Sequence, residues 1–456
     1  MSDKLKIKIH DFEKKQILVE LIDEFYSKEE YILLPEDGFR KDQAIHINLA
    51  GHTDKDEIKR EIFRTLRARK GSAPDWGILT GVRPVKLAGE MMERGNSPEE
   101  TKRVFMEDYY LSEEKASLIV DVYNRQKRVF GKPADNSVGI YVGIPFCPTR
   151  CVYCSFASNQ VPPQEIQRYL PALHREIEYT GQRMRENGLF PESIYIGGGT
   201  PTTLEATQLD SLLKKLRQAL DVDSCREFTV EAGRPDTITE DKLDVLRHHG
   251  VSRISINPQS MHQKTLDAIG RSHTPEDIER AFQMAGQKGF QVINADVIAG
   301  LPGENPEDFR ETLERVLAMG ANNVTVHTLA VKRASRLRNI DQEYHFKAAS
   351  TVSEMLAVSR DMLRAQSFVP YYLYRQKHMA GYYENVGYCL GETDNLYNVR
   401  IMDEHQTIIA LGAGGITKRY YPQTNRLERI PNVTNYQEYI ARIEEMCQRK
   451  ENKLWR

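Results

Sequence analysis

Three cysteines fall in the stretch Cys147-Pro148-Thr149-Arg150-Cys151-Val152-Tyr153-Cys154, while Cys225, Cys389 and Cys447 are scattered. A C-x3-C-x2-C run on a short loop can aim three thiolates at one point. Structural zinc takes four ligands, and the next histidine, His174, stands twenty residues on, inside a helical pattern. Unrelated core cysteines seldom share such a spacing. Thiolates also suit iron–sulfur clusters. Three of them can hold three irons of a [4Fe–4S] cluster. The fourth iron then stays open to a substrate or cofactor, as catalytic metal sites keep an open position.

The loop needs a scaffold, and a regular alternation supplies one. Val138–Ile144, Ser193–Ile196, Glu227–Glu231, Arg253–Asn257, Gln291–Ile298 and Asn323–Leu329 read as strands. Helical patterns follow each, from Pro163–Arg185 to Ala348–Arg364. Six β/α units imply a parallel sheet, as an incomplete barrel or an open sheet. In β/α barrels the functional residues lie at the C-terminal ends of strands. Strand one ends at the cysteines, strand two at Gly197-Gly198-Gly199-Thr200-Pro201 and strand three at Glu231. Strand four ends near Gln259 and strand five near Asp296. Each residue alone has a plainer reading, as a turn, a helix cap or a surface ion. Their arrival on one face favours a site. The glycine run is no P-loop, because no Gly-Lys-Ser/Thr follows.

Before the alternation, Lys6–His10, Gln16–Phe25 and Ala44–Leu49 read as strands. Asp54–Arg69, Ser97–Phe105 and Ser112–Phe130 read as helices, with Ser97 and Ser112 as N-caps. After it come a tyrosine cluster at Tyr371–Tyr374, a buried strand at Ile408–Leu411 and a closing helix at Asn435–Arg449. Three regions are expected: 1–133, 134–368 and 369–456. The fold class expected is α/β, with an α+β piece before the core and an α+β extension after it. The 63 lysines and arginines against 65 aspartates and glutamates leave a net charge of −2. A dedicated nucleic-acid partner needs a basic surplus. No apolar run approaches the roughly 20 residues of a membrane span, and the start lacks a signal core. A cytoplasmic chain is expected.

The cysteine motif resembles that of the radical S-adenosylmethionine (SAM) superfamily. Its open iron is chelated by SAM, and reductive cleavage yields a 5′-deoxyadenosyl radical that abstracts hydrogen. Tyr141-Val142-Gly143-Ile144-Pro145-Phe146, the Gly-Gly-Gly-Thr-Pro turn and the Gly-Leu-Pro after Asp296 resemble the oxygen-independent coproporphyrinogen III dehydrogenase (HemN-like) group. Thr80-Gly81-Val82-Arg83-Pro84, Leu329–Ala334 and Tyr372–Lys377 resemble its HemZ branch, so the likeness covers most of the chain. It implies a partial (β/α)6 barrel with cluster ligands Cys147, Cys151 and Cys154. It implies SAM contacts at Tyr141, Gly197, Gly198, Gly199, Thr200, Glu231, Gln259, Arg271 and Asp296. The implied reaction is oxidative decarboxylation of coproporphyrinogen III to protoporphyrinogen IX, fed by a flavodoxin or ferredoxin. Four substrate carboxylates need cations, and Lys332, Arg333, Arg336 and Arg375 are the candidates. Two departures stand out. Phe156 replaces a further cysteine, and Gly143 replaces a histidine. Phe156 resembles the haem chaperones of the HemW type. Haem carriage, or another radical SAM reaction on a tetrapyrrole, is the alternative.

Overall fold

The structure is a computed structural model. It describes residues 4–10, 15–26, 29–34, 44–48, 54–81, 83–154, 156, 158–330, 349–376, 379 and 382–455. The chain forms two compact units. The first comprises residues 1–124 with 373–377 and 381–383. Its sheet holds β1 (Leu5–His10), β2 (Tyr31–Leu33) and β3 (Ala44–Asn48) in the order β2-β1-β3, all parallel. The expected strand at Gln16–Phe25 is instead helix α1 (Lys15–Phe25). Leu18, Leu21, Ile22 and Phe25 recur at helical spacing and are buried in one core with Ile7 and Ile9. Helix α2 (Lys55–Lys70) starts at Asp54, whose carboxylate accepts from the Asp56 and Glu57 amides. The expected N-cap at Ser97 closes a capping box with Glu100.

The second unit comprises residues 125–372, 378–380 and 384–456. Its six expected strands are β4 (Ser137–Ile144), β5 (Phe190–Gly198), β6 (Glu227–Glu231), β7 (Arg253–Ser255), β8 (Val292–Ala299) and β9 (Asn323–Thr328). They lie side by side in chain order, each parallel to the next. The helices between them include Pro163–Glu186, Ala206–Ala219 and Pro306–Ala318. The sheet is larger than the six-unit expectation. It is a mixed sheet of eleven strands that adds β10 (Phe368–Arg375) and β11 (Glu384–Leu390) beyond β9. Beyond β4 it adds β12 (Ile408–Leu411), β13 (Ile416–Tyr421) and β14 (Arg426–Pro431). Strand β12 joins β4 in parallel, whereas β13, β14 and β11 pair antiparallel. The closing helix is two, Tyr436–Ala441 and Ile443–Lys450.

Alternation along β4–β9 separates two faces. One is apolar and buried: Ile140, Val142, Ile194, Ile196, Val230, Ile254, Ala295, Val324 and Val326. The other carries Tyr141, Tyr195, Thr229, Glu231, Arg253, Ser255, Asn294, Asp296, Thr325 and His327. Polar side chains on so enclosed a sheet face must find partners. At its lower end Glu227 does so by accepting from the amides of Leu396 and Tyr397 (2.8 and 3.1 Å) at the start of helix Leu396–Asp403.

Two buried carboxylates tie the C-terminal strands and helices to this sheet. Glu192 receives Arg400 through two nitrogens at 3.0 Å each, and Gln406 at 2.7 Å. Glu176 accepts from Gly412 N (2.7 Å), Asn432 (2.8 Å), Tyr439 and Lys450. Every lone pair of Glu176 thus has a donor, as a buried charge requires. Among the described residues no helix is long and apolar enough to cross a membrane.

Candidate active site

Strand β4 delivers the cysteine loop. Phe146 is fully buried and meets Tyr169 and Tyr436 edge-on, with centroids at 5.2 and 5.4 Å. The loop closes on itself: Cys147 N donates to Asn159 O (3.1 Å), and Asn159 N returns to Pro145 O (2.9 Å). Cys154 N bonds Cys151 O at 3.2 Å, making a tight turn, and Val152 N bonds Ile269 O at 3.0 Å. Thr200 Oγ1 lies 3.5 Å from Cys147 Sγ. Burial pushes the Cys147 thiol up to about 11, and the neighbouring Cys154 and Cys151 add to the rise. Burial raises Cys154 as well. Thiols so placed are poor free nucleophiles and become thiolates on binding metal.

Among the described residues no three His, Cys, Asp or Glu side chains converge as ligands of one ion. A cluster held at three corners places one thiolate on each of three irons, so its ligands face a shared space rather than one point. Cys147 and Cys154, half-buried, and Cys151, buried, on a closed loop fit that demand. The donor set also suits iron–sulfur chemistry better than zinc, for which no fourth ligand converges among the described residues.

The glycine turn packs against this loop. Gly199 N donates to Ile144 O (2.8 Å) and Thr200 N to Phe146 O (2.7 Å). A Cβ on Gly199 would sit 2.4 Å from Phe146 O, so only glycine allows the approach. Gly198 has φ +114, and Gly197 lies beside Glu231, with an added Cβ 3.0 Å from Oε2. Tyr195 donates its hydroxyl to Glu231 Oε1. Burial raises the Glu231 carboxyl to about 7, and the nearby Asp296 charge works in the same direction. Tyr141, Tyr195 and Tyr397 form a stack, with Tyr195 and Tyr397 centroids 4.5 Å apart and Tyr141 6.4 and 6.2 Å from them.

Asp296 is the opposite case to Glu231. Burial alone would raise it, yet His327 (Nε2 to Oδ2, 3.5 Å) and Asn294 (Nδ2 to Oδ1, 2.8 Å) hold it below the usual carboxylate range. Gln259 sits at φ +67. Its amide donates to Asp296 O (2.9 Å) and its carbonyl accepts from Ile298 N (3.1 Å). Among the described residues its buried side-chain Oε1 has no hydrogen-bond partner. An orphaned acceptor beside a carboxylate is a place for hydroxyl or amine donors of a bound molecule. Arg271 braces the loop: Nη1 donates to Gly233 O and Asn257 O (3.1 Å each), and Nη2 to Tyr153 Oη (3.2 Å).

The glycine turn thus packs on the cysteine loop, Tyr141 and Glu231 are joined through Tyr195, Gln259 pairs with Asp296 through the backbone, and Arg271 holds Tyr153 of the loop. Lys332, Arg333 and Arg336 lie outside the described residues. Arg375 departs from its expected role. It belongs to the first unit, 5% exposed, where it meets Glu24 (3.3 Å), donates to Leu79 O and Tyr382 O, and lies over the Trp76 ring at 4.6 Å. Its donors serve the fold and are not presented to a substrate carboxylate. The tyrosine cluster is likewise core: Tyr371 and Tyr372 are buried. His327, Tyr397 and Arg234 were missed by sequence reasoning. His327 ends the sixth strand, where the strand-end rule would have found it.

The family model of the Radical SAM superfamily matches residues 141–316. The chain is 39% identical over 401 residues to the "Oxygen-independent coproporphyrinogen-III oxidase-like protein HemZ" of Bacillus subtilis (strain 168), covering 87% of this chain and 80% of that protein. The chain belongs to the radical SAM superfamily. Within that superfamily it is of the HemN-like group. It is also 31% identical over 258 residues to the "Heme chaperone HemW" of the same organism, covering 54% of this chain and 67% of HemW. The "Oxygen-independent coproporphyrinogen III oxidase" of Pseudomonas aeruginosa is 31% identical over 204 residues, 44% of each chain. The solved coproporphyrinogen III oxidase HemN from Escherichia coli shares the radical SAM fold at TM-score 0.54 and 21% identity, covering 71% of this chain and 73% of that one.

Proposed function

We propose that this radical SAM chain decarboxylates coproporphyrinogen III oxidatively to protoporphyrinogen IX without oxygen. The observation that carries the reading is one strand-end face that joins a three-thiol loop, a glycine turn and the Glu231–Gln259–Asp296 set. Cys147, Cys151 and Cys154 would hold a [4Fe–4S] cluster. The glycine turn, with Thr200, would receive the amino end of SAM on backbone groups. Asp296, ionised and fixed by Asn294 and His327, would accept from ribose hydroxyls, and Gln259 Oε1 would gain its missing donor. Glu231 would face the same cofactor. Cluster and SAM together supply a one-electron cleavage that generates a hydrogen-abstracting group. Two of the four propionates react, and each of these loses one β-hydrogen atom, one CO2 and one electron to become a vinyl.

The six central strands would act as a partial barrel, with 1–133 as a leading region, 134–368 as the core and 369–456 as its cover. Lys332, Arg333 and Arg336 remain the candidate cations for substrate carboxylates. A flavodoxin or ferredoxin would deliver the electron. Anaerobically reconstituted protein given SAM, reductant and coproporphyrinogen III should release CO2 and form protoporphyrinogen. Absence of both products rejects the reading.

A second reading has its own observation. Phe156 is 66% exposed beside Cys154, where a chaperone-like residue stands instead of a further cysteine. At Gly143 an added Cβ would meet Leu411 O at 3.4 Å, an ordinary contact. On this reading the protein binds haem stoichiometrically and passes it to an apo-protein without turnover. Failure to bind haem removes it.

A further inference from the structure

The turn after β6 carries an arginine that the strand-end rule passes over. Arg234 is 3% exposed. Its Nε and Nη2 donate to the two oxygens of Asp236 (3.0 and 2.9 Å). Nη2 also reaches Ser272 Oγ (2.7 Å), which donates to the same carboxylate (2.9 Å). From the other edge, Nη1 crosses to the cysteine loop and meets Thr149 Oγ1 at 2.7 Å and Thr149 O at 3.4 Å. Thr149 lies midway between Cys147 and Cys151, and its hydroxyl continues to Gly270 O (3.4 Å).

Arg234 is buried while the Asp236 side chain stays 24% exposed, so the guanidinium must offset its own desolvation through good geometry, and a planar fork alone supplies donors on both edges. The pair is also oriented. Its cation faces the loop and its carboxylate lies behind. A positive edge near an iron–sulfur cluster favours the added electron, and hydrogen bonding and charge around a cluster are among the protein's means of setting its potential.

We propose that Arg234 is a positioning residue for the cysteine loop. It fixes the span between Cys147 and Cys151 through Thr149 and biases the bound cluster toward its reduced state. The proposal rests on the reading of the three cysteines as cluster ligands.

Full-length wild type, Thr149→Ala, Arg234→Lys, Arg234→Gln, Asp236→Asn and Arg234→Gln/Asp236→Asn test it after anaerobic reconstitution. Iron and sulfide content, resistance to a chelator and the midpoint potential from an EPR-monitored titration are read, with circular dichroism and melting on each. Outer partners of metal ligands are worth roughly 10- to 100-fold in affinity. Thr149→Ala and Arg234→Lys should therefore hold iron about 10-fold less tightly at near wild-type potential. Arg234→Gln uncovers the carboxylate and should shift the potential to more negative values. Adding Asp236→Asn should bring it back. Wild-type iron retention in folded Thr149→Ala overturns the positioning claim, even if Arg234→Gln does not fold. Wild-type potential in Arg234→Gln, or in the double variant's single partner Asp236→Asn should Arg234→Gln not fold, overturns the electrostatic claim. A wild type that takes up no cluster defeats the parent reading, and this one with it.

Discussion

The chemistry of the site is concentrated in residues whose neighbours forbid alternatives. Alanine at Cys147, Cys151 or Cys154 should abolish bound iron and sulfide, whereas alanine at Cys225, Cys389 or Cys447 should leave both intact. Cys389 and Cys447 are buried, and Cys225 Sγ faces Glu227 O at 3.1 Å. Gly199→Ala should lower cluster content as well, because its Cβ cannot lie 2.4 Å from Phe146 O without moving the loop. Wild-type content in that variant would show the loop to be more pliant than its packing implies. Glu231 gives a pH signature. The unfolded carboxyl ionises near 4.5 and the folded one near 7. Through that window the unfolded chain binds fewer protons, so stability falls as pH rises, by up to about 3 kcal/mol once complete. Glu231→Gln should flatten the fall in urea midpoint between these pH values, and an unchanged slope would contradict the assignment. The cysteine spacing was legible because ligands within one loop are local in sequence. Arg234 and Thr149 are 85 residues apart, and no local pattern announces such a pair.

At the scale of elements, the alternation of strands and helices was readable because each central strand is a short apolar run between turns. Helix α1 was not, since the run Ile17-Leu18-Val19 satisfies a strand pattern and only the spacing through Phe25 marks the helix. The place of β12 beside β4 was also hidden. A parallel neighbour 269 residues away (Ile408 beside Gly139) leaves only a burial pattern that many partners would satisfy. What locks that strand is the network around Glu176, with Gly412 at its end and Lys450 on the last helix. Lys450→Met should destabilise the second unit by roughly 3–5 kcal/mol, since it strands a buried carboxylate. Lys450→Met with Glu176→Gln should recover much of that loss in the same unfolding measurement. A single variant with wild-type stability would mean that Tyr439, Asn432 and the Gly412 amide suffice for Glu176.

At the scale of the whole molecule, a net charge of −2 hides where the charges are. Glu176–Lys450, Glu192–Arg400 and Arg234–Asp236 are spent inside the second unit, and Glu24–Arg375 inside the first. Composition showed no basic surplus for a phosphate-backbone partner, but it could not separate internal cations from those offered to a ligand. Arg375 is the case in point. The family and the six central strands were legible in motifs and periodicity, whereas the flanking strands and the fate of each arginine needed the fold. The proposed function turns on a cluster held by three cysteines with one iron open to SAM. Electron paramagnetic resonance of the reduced, anaerobically reconstituted protein, with and without SAM, decides that point. A [4Fe–4S] signal that changes on adding SAM, and that is lost in Cys151→Ala, is the predicted result. A protein that holds only zinc, or a cluster whose signal ignores SAM, would contradict it.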